Sequence, residues 1–226
     1  MQAIILCGGL ATRLGETAKT VPKVLLEIAG KTVLAWQLEL LTEAGVTEVA
    51  LASGHLHDVL YETVGDNYAG VRIRYAKEEK RLGTGGAIRN AMQQIRTSPF
   101  FVLNGDILLA GFSLREMLDR FQQGMAGVLL SVHVPDIRPY GEIISDGDGK
   151  IQAFREKQST YRAGYVNGGV YLFDQGIADA FPKGQETFSM EREVFPVVSN
   201  LYALQTDADW IDIGVPERLA YAREYF

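Results

Sequence analysis

The chain has 226 residues, 47% of them hydrophobic and 22% charged, which is enough to bury roughly 70% of the surface exposed by the unfolded chain and rules out wholesale disorder. Lys and Arg total 22 against 28 Asp and Glu, a net charge of −6, which argues against nucleic-acid and anionic-membrane partners. Cys7 is the single cysteine, so no internal disulfide framework exists; no apolar run approaches the ~18 residues of a membrane span, Met1 to Leu6 lacks the basic region of a signal peptide, and a soluble, cytoplasmic protein is expected.

Ala3 to Leu6 is a short apolar run ending in Gly8-Gly9, the pattern of a buried strand feeding a glycine-rich loop. Thr32 can cap a helix with Val33, Trp36, Leu40 and Leu41 on one face and Gly45 at its end. A strand over Val49 to Ala52, a helix over His57 to Val64 and a partly exposed strand over Val71 to Ala76 follow. Thr84 can cap a helix running to Ile95, and Phe100 to Leu103 is another buried strand, ending at Asn104-Gly105-Asp106. This alternation predicts a mostly parallel sheet covered by helices, with ligands at the carboxyl ends of the strands. The Gly8-Gly9 loop and Asn104-Gly105-Asp106 both sit at such ends and are expected to meet. After a helix over Ser113 to Gln123, the pattern changes to strands with short turns: Gly127 to Val134, Glu142 to Ser145, Lys150 to Phe154 and Val166 to Phe173. Asp146-Gly147-Asp148-Gly149 is a hairpin turn, and Pro216 to Tyr225 is a final helix with proline at its start. The expectation is one domain over residues 1–226, with a mixed sheet and no repeat or linker.

The strongest local signal is Leu6-Cys7-Gly8-Gly9-Leu10-Ala11-Thr12-Arg13-Leu14. Adjacent glycines let the backbone approach an anion or a base, and Arg13 can fork onto phosphate oxygens. Residues 1–31 carry four basic and two acidic side chains, a local charge of +2 within an acidic chain, and Lys23 could set an ammonium on a phosphate. The dinucleotide fingerprint is absent because the glycines are adjacent, and Gly30-Lys31-Thr32 lacks the earlier glycine of a P-loop. Leu82-Gly83-Thr84-Gly85-Gly86 opens a helix whose free N–H groups suit an anion or nucleotide. Asp106 and Asp212, both at element ends, could share a Mg²⁺ ion. Each of these has a plain structural alternative: a tight turn, a solvated lysine, a helix cap or a turn aspartate. Asn167-Gly168-Gly169 interrupts a strand and reads either as a bulge or as a place of close approach.

The order of these motifs is more specific than any one of them. Gly-Gly-x-x-Thr-Arg-Leu, Pro22-Lys23, Leu82-Gly83-Thr84, Asn104-Gly105-Asp106, Phe154-Arg155-Glu156-Lys157, Asn167-Gly168-Gly169 and Trp210-Ile211-Asp212-Ile213-Gly214 together resemble the sugar-1-phosphate nucleotidyltransferases, from Ile4 to Arg218. Within that family the opening ten residues are most similar to the guanylyltransferases acting on D-glycero-α-D-manno-heptose 1-phosphate. One departure is Ala11, where the family loop often has a third glycine. The resemblance implies a Rossmann-like three-layer α/β/α sandwich, with residues 1–110 as a nucleotide-binding half and 111–226 as a sugar-phosphate-binding half. It implies GTP and a sugar 1-phosphate as substrates, GDP-sugar and pyrophosphate as products, and a role in surface polysaccharide (capsule) biosynthesis. Arg13, Lys23 and Asp106 would be catalytic. Leu6, Gly8, Gly9, Glu78, Gly83 and Thr84 would join Arg13 and Asp106 around the nucleotide, and Asp106 and Asp212 would hold Mg²⁺. Gly141, Glu156, Lys157, Asn167 and Gly168 would form the sugar-phosphate site. A uridylyl- or thymidylyltransferase of hexose or amino-hexose 1-phosphates, and a non-catalytic nucleotide-sugar-binding regulator, stand as alternatives. The sequence leaves homo-oligomerisation open.

Overall fold

The computed structural model describes residues 1–9, 12–15, 20–155 and 159–226. Among these, a ten-stranded sheet forms the centre of the molecule. Its parallel part is β7 (Phe100–Asn104), β1 (Gln2–Leu6), β4 (Glu48–Ser53) and β6 (Val71–Lys77), side by side in that order. The short β5 (Asn67–Tyr68) closes one edge. On the other side β12 (Gly164–Phe173) runs antiparallel to β7 and continues the sheet to β10 (Glu142–Ser145) and β11 (Ile151–Arg155). β12 also pairs with β9 (Gly127–Val134), which carries β13 (Leu201–Thr206) in parallel.

The sequence reason for three layers is visible strand by strand. Ala3 and Ile5 of β1 point into one core with Val49, Leu51, Phe101 and Leu103, whereas Ile4 points into the other with Ala50, Ala52, Phe100 and Val102. Strands buried on both faces read as continuous apolar runs. The first core is covered by α1 (Val33–Glu43), α2 (His57–Val64) and α4 (Arg115–Arg120); the second by α3 (Gly83–Ala91) and the segment from Ile177 to Phe195. Thr32 caps α1 as expected, its hydroxyl accepting from the Ala35 N–H at 3.1 Å. The face α1 buries differs from the expected one: Leu34, Gln37, Leu38 and Leu41 lie inward beside Val33, while Trp36 and Leu40 are only partly covered. A helix expected over Ser113 to Gln123 is confined to α4, because Phe121 turns extended at its end.

Two small two-stranded ribbons stand apart from this sheet, and the second joins distant segments. β2 (Glu27–Ile28) pairs with β3 (Lys31–Thr32). β8 (Ile107–Ala110) pairs with β14 (Asp209–Asp212), just before α5 (Pro216–Tyr225). Because Asp212 stands opposite Ile107, this ribbon brings Asp212 next to Asp106. The observed architecture is a Rossmann-like α/β/α sandwich with a mixed, mostly parallel sheet. No helix among the described residues is long and apolar enough to cross a membrane.

Candidate functional site

A cleft of about 300 Å³ opens where β1, β6 and β7 end, as the strand-end rule requires. Gly8 and Gly9 form its floor, Lys23, Asn104 and Asp106 one wall, and Glu78, Gly83 and Thr84 the other. The expected meeting of the two loops is direct. Gly105 donates to the Leu6 carbonyl at 3.1 Å, and a side chain at Gly105 would collide with that carbonyl oxygen. At Gly8 a Cβ would stand 2.8 Å from Glu78 Oε1, so the missing side chain leaves that carboxylate its place beside the loop.

The charges are arranged in two groups. Lys23 Nζ lies 3.0 Å from Asp106 Oδ2, with both side chains partly exposed to the cleft. Asp212 is held by Arg218, whose Nη2 lies 3.0 Å from Oδ2 and whose Nε donates to the Asp212 carbonyl at 2.6 Å. The other oxygen of Asp212 accepts from the Gly214 N–H at 2.6 Å. A Cβ on Gly214 would be 2.7 Å from Asp212 Oδ1 and 3.6 Å from Asp106 Oδ2, so the two carboxylates flank one point. Burial, then the neighbouring Asp106 charge, push Asp212 above its ordinary carboxylate value, with Arg218 opposing them. On the opposite wall burial raises Glu78 as well, opposed by the Leu82 N–H at 3.2 Å and by Arg81. Cys7 lines the cleft beside Glu78, and burial pushes its thiol up, so it is no nucleophile.

Two expectations need correction. Thr84 does not cap α3: Leu82 occupies the cap position, and Thr84 donates to Glu191 at 2.8 Å and accepts from the Met190 N–H at 2.9 Å. The N–H groups of Gly85 and Gly86 both donate to the Phe188 carbonyl. These donors therefore dock the segment around Phe188, not an anion, because the absence of side chains on the glycines lets that backbone lie against the helix. Gly168, by contrast, is the place of close approach read from sequence: a Cβ there would stand 2.9 Å from Val132 Cγ2 and 3.1 Å from the Leu130 carbonyl oxygen of the neighbouring strand, and the pairing shifts register between Asn167 and Tyr171.

The remaining expected residues are less concentrated. Arg13 is exposed on the turn Thr12–Leu14 and does not line the cleft. Asn167 donates to the Tyr171 hydroxyl at 3.0 Å and accepts from the Gly169 N–H at 3.1 Å. Its own N–H bonds the Gly141 carbonyl at 3.1 Å, which brings Gly141 and Asn167 together. Trp210 donates to the Gly168 carbonyl at 2.9 Å. Glu156 and Lys157 lie outside the described residues. Asn104, read from sequence as part of its turn motif, and Arg81, which the sequence reading missed, both line the cleft; an arginine three residues after Glu78, just before a glycine-rich helix start, is the available signal for the second.

Comparison with known proteins agrees with this geometry. The Nucleotidyl transferase family matches residues 2–225. A mannose-1-phosphate guanylyltransferase of Mycobacterium tuberculosis is 35% identical over 96% of this chain, and the chain spans 62% of that protein's length. A D-glycero-alpha-D-manno-heptose 1-phosphate guanylyltransferase of Aneurinibacillus thermoaerophilus is 33% identical over 96% of this chain and 94% of its own length. The crystal structure of HddC from Yersinia pseudotuberculosis complexed with GMP-PN superposes with a TM-score of 0.85 and 31% identity, over 99% of this chain and 98% of that one. The chain belongs to the nucleotidyl transferase family.

Proposed function

We propose that this protein is a sugar-1-phosphate guanylyltransferase that condenses GTP with D-glycero-α-D-manno-heptose 1-phosphate to give GDP-heptose and pyrophosphate. The observation that carries the reading is the convergence of Lys23, Asp106 and Glu78 on one glycine-floored cleft. Relatives named for guanylyl transfer support it, and the heptose relative matches along nearly its whole length. The product would enter surface polysaccharide (capsule) assembly from the cytoplasm.

An oxygen of the sugar phosphate attacks the α-phosphorus of GTP, the new P–O bond forms, and the bond to the β-phosphate breaks as pyrophosphate leaves. The attacking oxygen is already anionic, so no enzyme nucleophile is needed. The obstacle is repulsion between anions, and catalysis is positioning and charge neutralisation. Lys23 places its ammonium on the α-phosphate, and Arg13 would hold the leaving phosphates. Glu78 is half-buried with its charge incompletely matched, and it accepts the N1–H and N2–H donors that guanine offers. Arg81 carries donors complementary to guanine O6 and N7, the edge arginine reads best.

Asp106 and Asp212 fit a magnesium ion in that their two carboxylates flank one point and are an oxygen donor set such an ion takes; Lys23 and Arg218 are their partners without it. When bound, the ion would neutralise phosphate charge. Glu156 and Lys157 would complete the sugar-phosphate site with Gly141 and Asn167. Pyrophosphate release from purified protein, measured with each nucleotide in turn, tests the reading. Release with UTP or dTTP in preference to GTP would sink it.

A further inference from the structure

We infer that Gln37 is a positioning residue that fixes the Asp106 turn from beneath, an inference that rests on the role given to Asp106 above. Gln37 sits on the buried face of α1 and has no exposed surface, among Val33, Leu34, Leu38 and Leu41. The helical pattern calls for an apolar residue there, and a buried amide is costly unless it is hydrogen-bonded.

Its bonds explain the choice. Nε2 donates one hydrogen to the Asn104 carbonyl at 2.8 Å and the other to the Ile107 carbonyl at 3.0 Å. These are the last residue of β7 and the first of β8, so the amide bridges the two ends of the turn that carries Gly105 and Asp106. An amide has two hydrogens, and both are used here. The reversed amide would set its oxygen against two carbonyls, which fixes the orientation. Oε1 is then left buried and without a partner among the described residues. That loss is tolerated where two backbone carbonyls would otherwise be orphaned.

The remaining supports of the turn come from other directions. Gly105 donates to Leu6 of β1, Ile213 donates to the Asp106 carbonyl at 2.8 Å, and Lys23 pairs with the Asp106 carboxylate. Gln37 is the support from the helix layer. Without it the turn loses its support from the helix layer, and Asp106 would shift relative to both Lys23 and Asp212. Misplacement by about 1 Å can cost on the order of 10²-fold in rate.

Gln37→Met keeps the volume and removes both donors; Gln37→His keeps one. Two readouts decide the matter. In hydrogen exchange of the ligand-free protein, the amides of Gly105 to Ile107 should exchange about tenfold faster in Q37M, while those of Ile4 and Ile5 stay protected, with Q37H intermediate. In steady-state assays with GTP and the heptose 1-phosphate, kcat should fall about 10- to 100-fold with KM for GTP little changed, and Q37M should add nothing to Asp106→Asn. Unchanged exchange at 105–107 would overturn the inference, as would a kcat loss that multiplies with that of D106N. If Q37M does not fold, Q37H carries the same two tests. A wild-type protein that releases no pyrophosphate from any substrate pair sinks the guanylyltransferase reading instead, and the exchange experiment still decides whether the clamp exists.

Discussion

Taken as two walls, the cleft where β1, β6 and β7 end and the strands β10 and β12 beyond it use their polar atoms in opposite ways. Around β1, β6 and β7 the charged groups face open cleft: Lys23 and Asp106 are partly exposed, and Glu78 is held above its ordinary value by burial that its local donors do not offset. Around β10 and β12 the polar atoms are bonded within the protein, Asn167 to Tyr171 and Gly169, the Gly168 carbonyl to Trp210, and buried Glu142 to Arg162 at 2.7 Å. A carboxylate buried without enough partners is a receptor for donors; a strand with satisfied atoms is a shaped surface. On the proposed function, this difference assigns chemistry and base choice to the first wall, and mainly shape and alignment to the second.

The largest effects should therefore come from the first wall. Lys23→Met and Asp106→Asn should each lower kcat by about 10²–10³-fold with the fold intact, as loss of one charge-stabilising contact does; near-normal turnover in either would break the contrast. Arg13→Ala should lower kcat/KM with GTP by several kcal/mol in transition-state terms, although Arg13 lies outside the ligand-free cleft. An unchanged kcat/KM would remove Arg13 from the site.

Glu78→Gln should raise KM for GTP about tenfold or more, since hydrogen bonds to charged groups are worth about 1.5–3 kcal/mol, while leaving KM for the sugar phosphate alone. Its titration provides a second check. Burial raises Glu78 in the folded protein, so it takes up a proton at higher pH than an exposed glutamate, and GTP binding should weaken as pH falls through that raised value. Ligand-free stability should move the other way. The proton held more tightly by the folded state stabilises it fully below the unfolded value of about 4, and that contribution is lost as pH rises through the raised folded value. Melting temperature and GTP affinity measured against pH should show these opposite trends in the wild type, and E78Q should flatten both.

The smallest effect is expected from the second wall. Trp210→Phe removes the bond to the Gly168 carbonyl, a contribution of about 1 kcal/mol, and should raise KM for the sugar phosphate a few-fold with kcat for GTP-dependent turnover otherwise kept. A loss as deep as that of K23M would mean that the second wall carries chemistry.

Much of the first wall was legible in the sequence because each of its parts combines a strand end with a turn: Leu6 to Gly9, and Asn104 to Asp106. Buried parallel strands announce themselves as apolar runs, so β1, β4, β6 and β7 followed from pattern alone, whereas β13 and the short β5 did not. The ribbon of Ile107–Ala110 with Asp209–Asp212 was not legible, because it joins segments about a hundred residues apart and the second of them has only two apolar residues, Trp210 and Ile211. Thr84 and its glycines misled because a glycine-rich helix start looks the same whether it receives an anion or a neighbouring backbone; here the neighbour is Phe188. Gln37 was hidden for a related reason. Periodicity assigns a glutamine to the outer face of a helix, and only the tertiary structure shows two carbonyls waiting for its amide.

The most direct measurement is pyrophosphate release across a matrix of nucleoside triphosphates and sugar 1-phosphates, with D-glycero-α-D-manno-heptose and mannose 1-phosphates both included. The arrangement of Glu78, Lys23 and Asp106 predicts turnover with GTP and its collapse in K23M and D106N, and the proposed heptose substrate, which rests on the likeness to the heptose enzyme, predicts the highest kcat/KM on the heptose phosphate. Equal or faster turnover with UTP or dTTP, or activity that survives both substitutions, would contradict it.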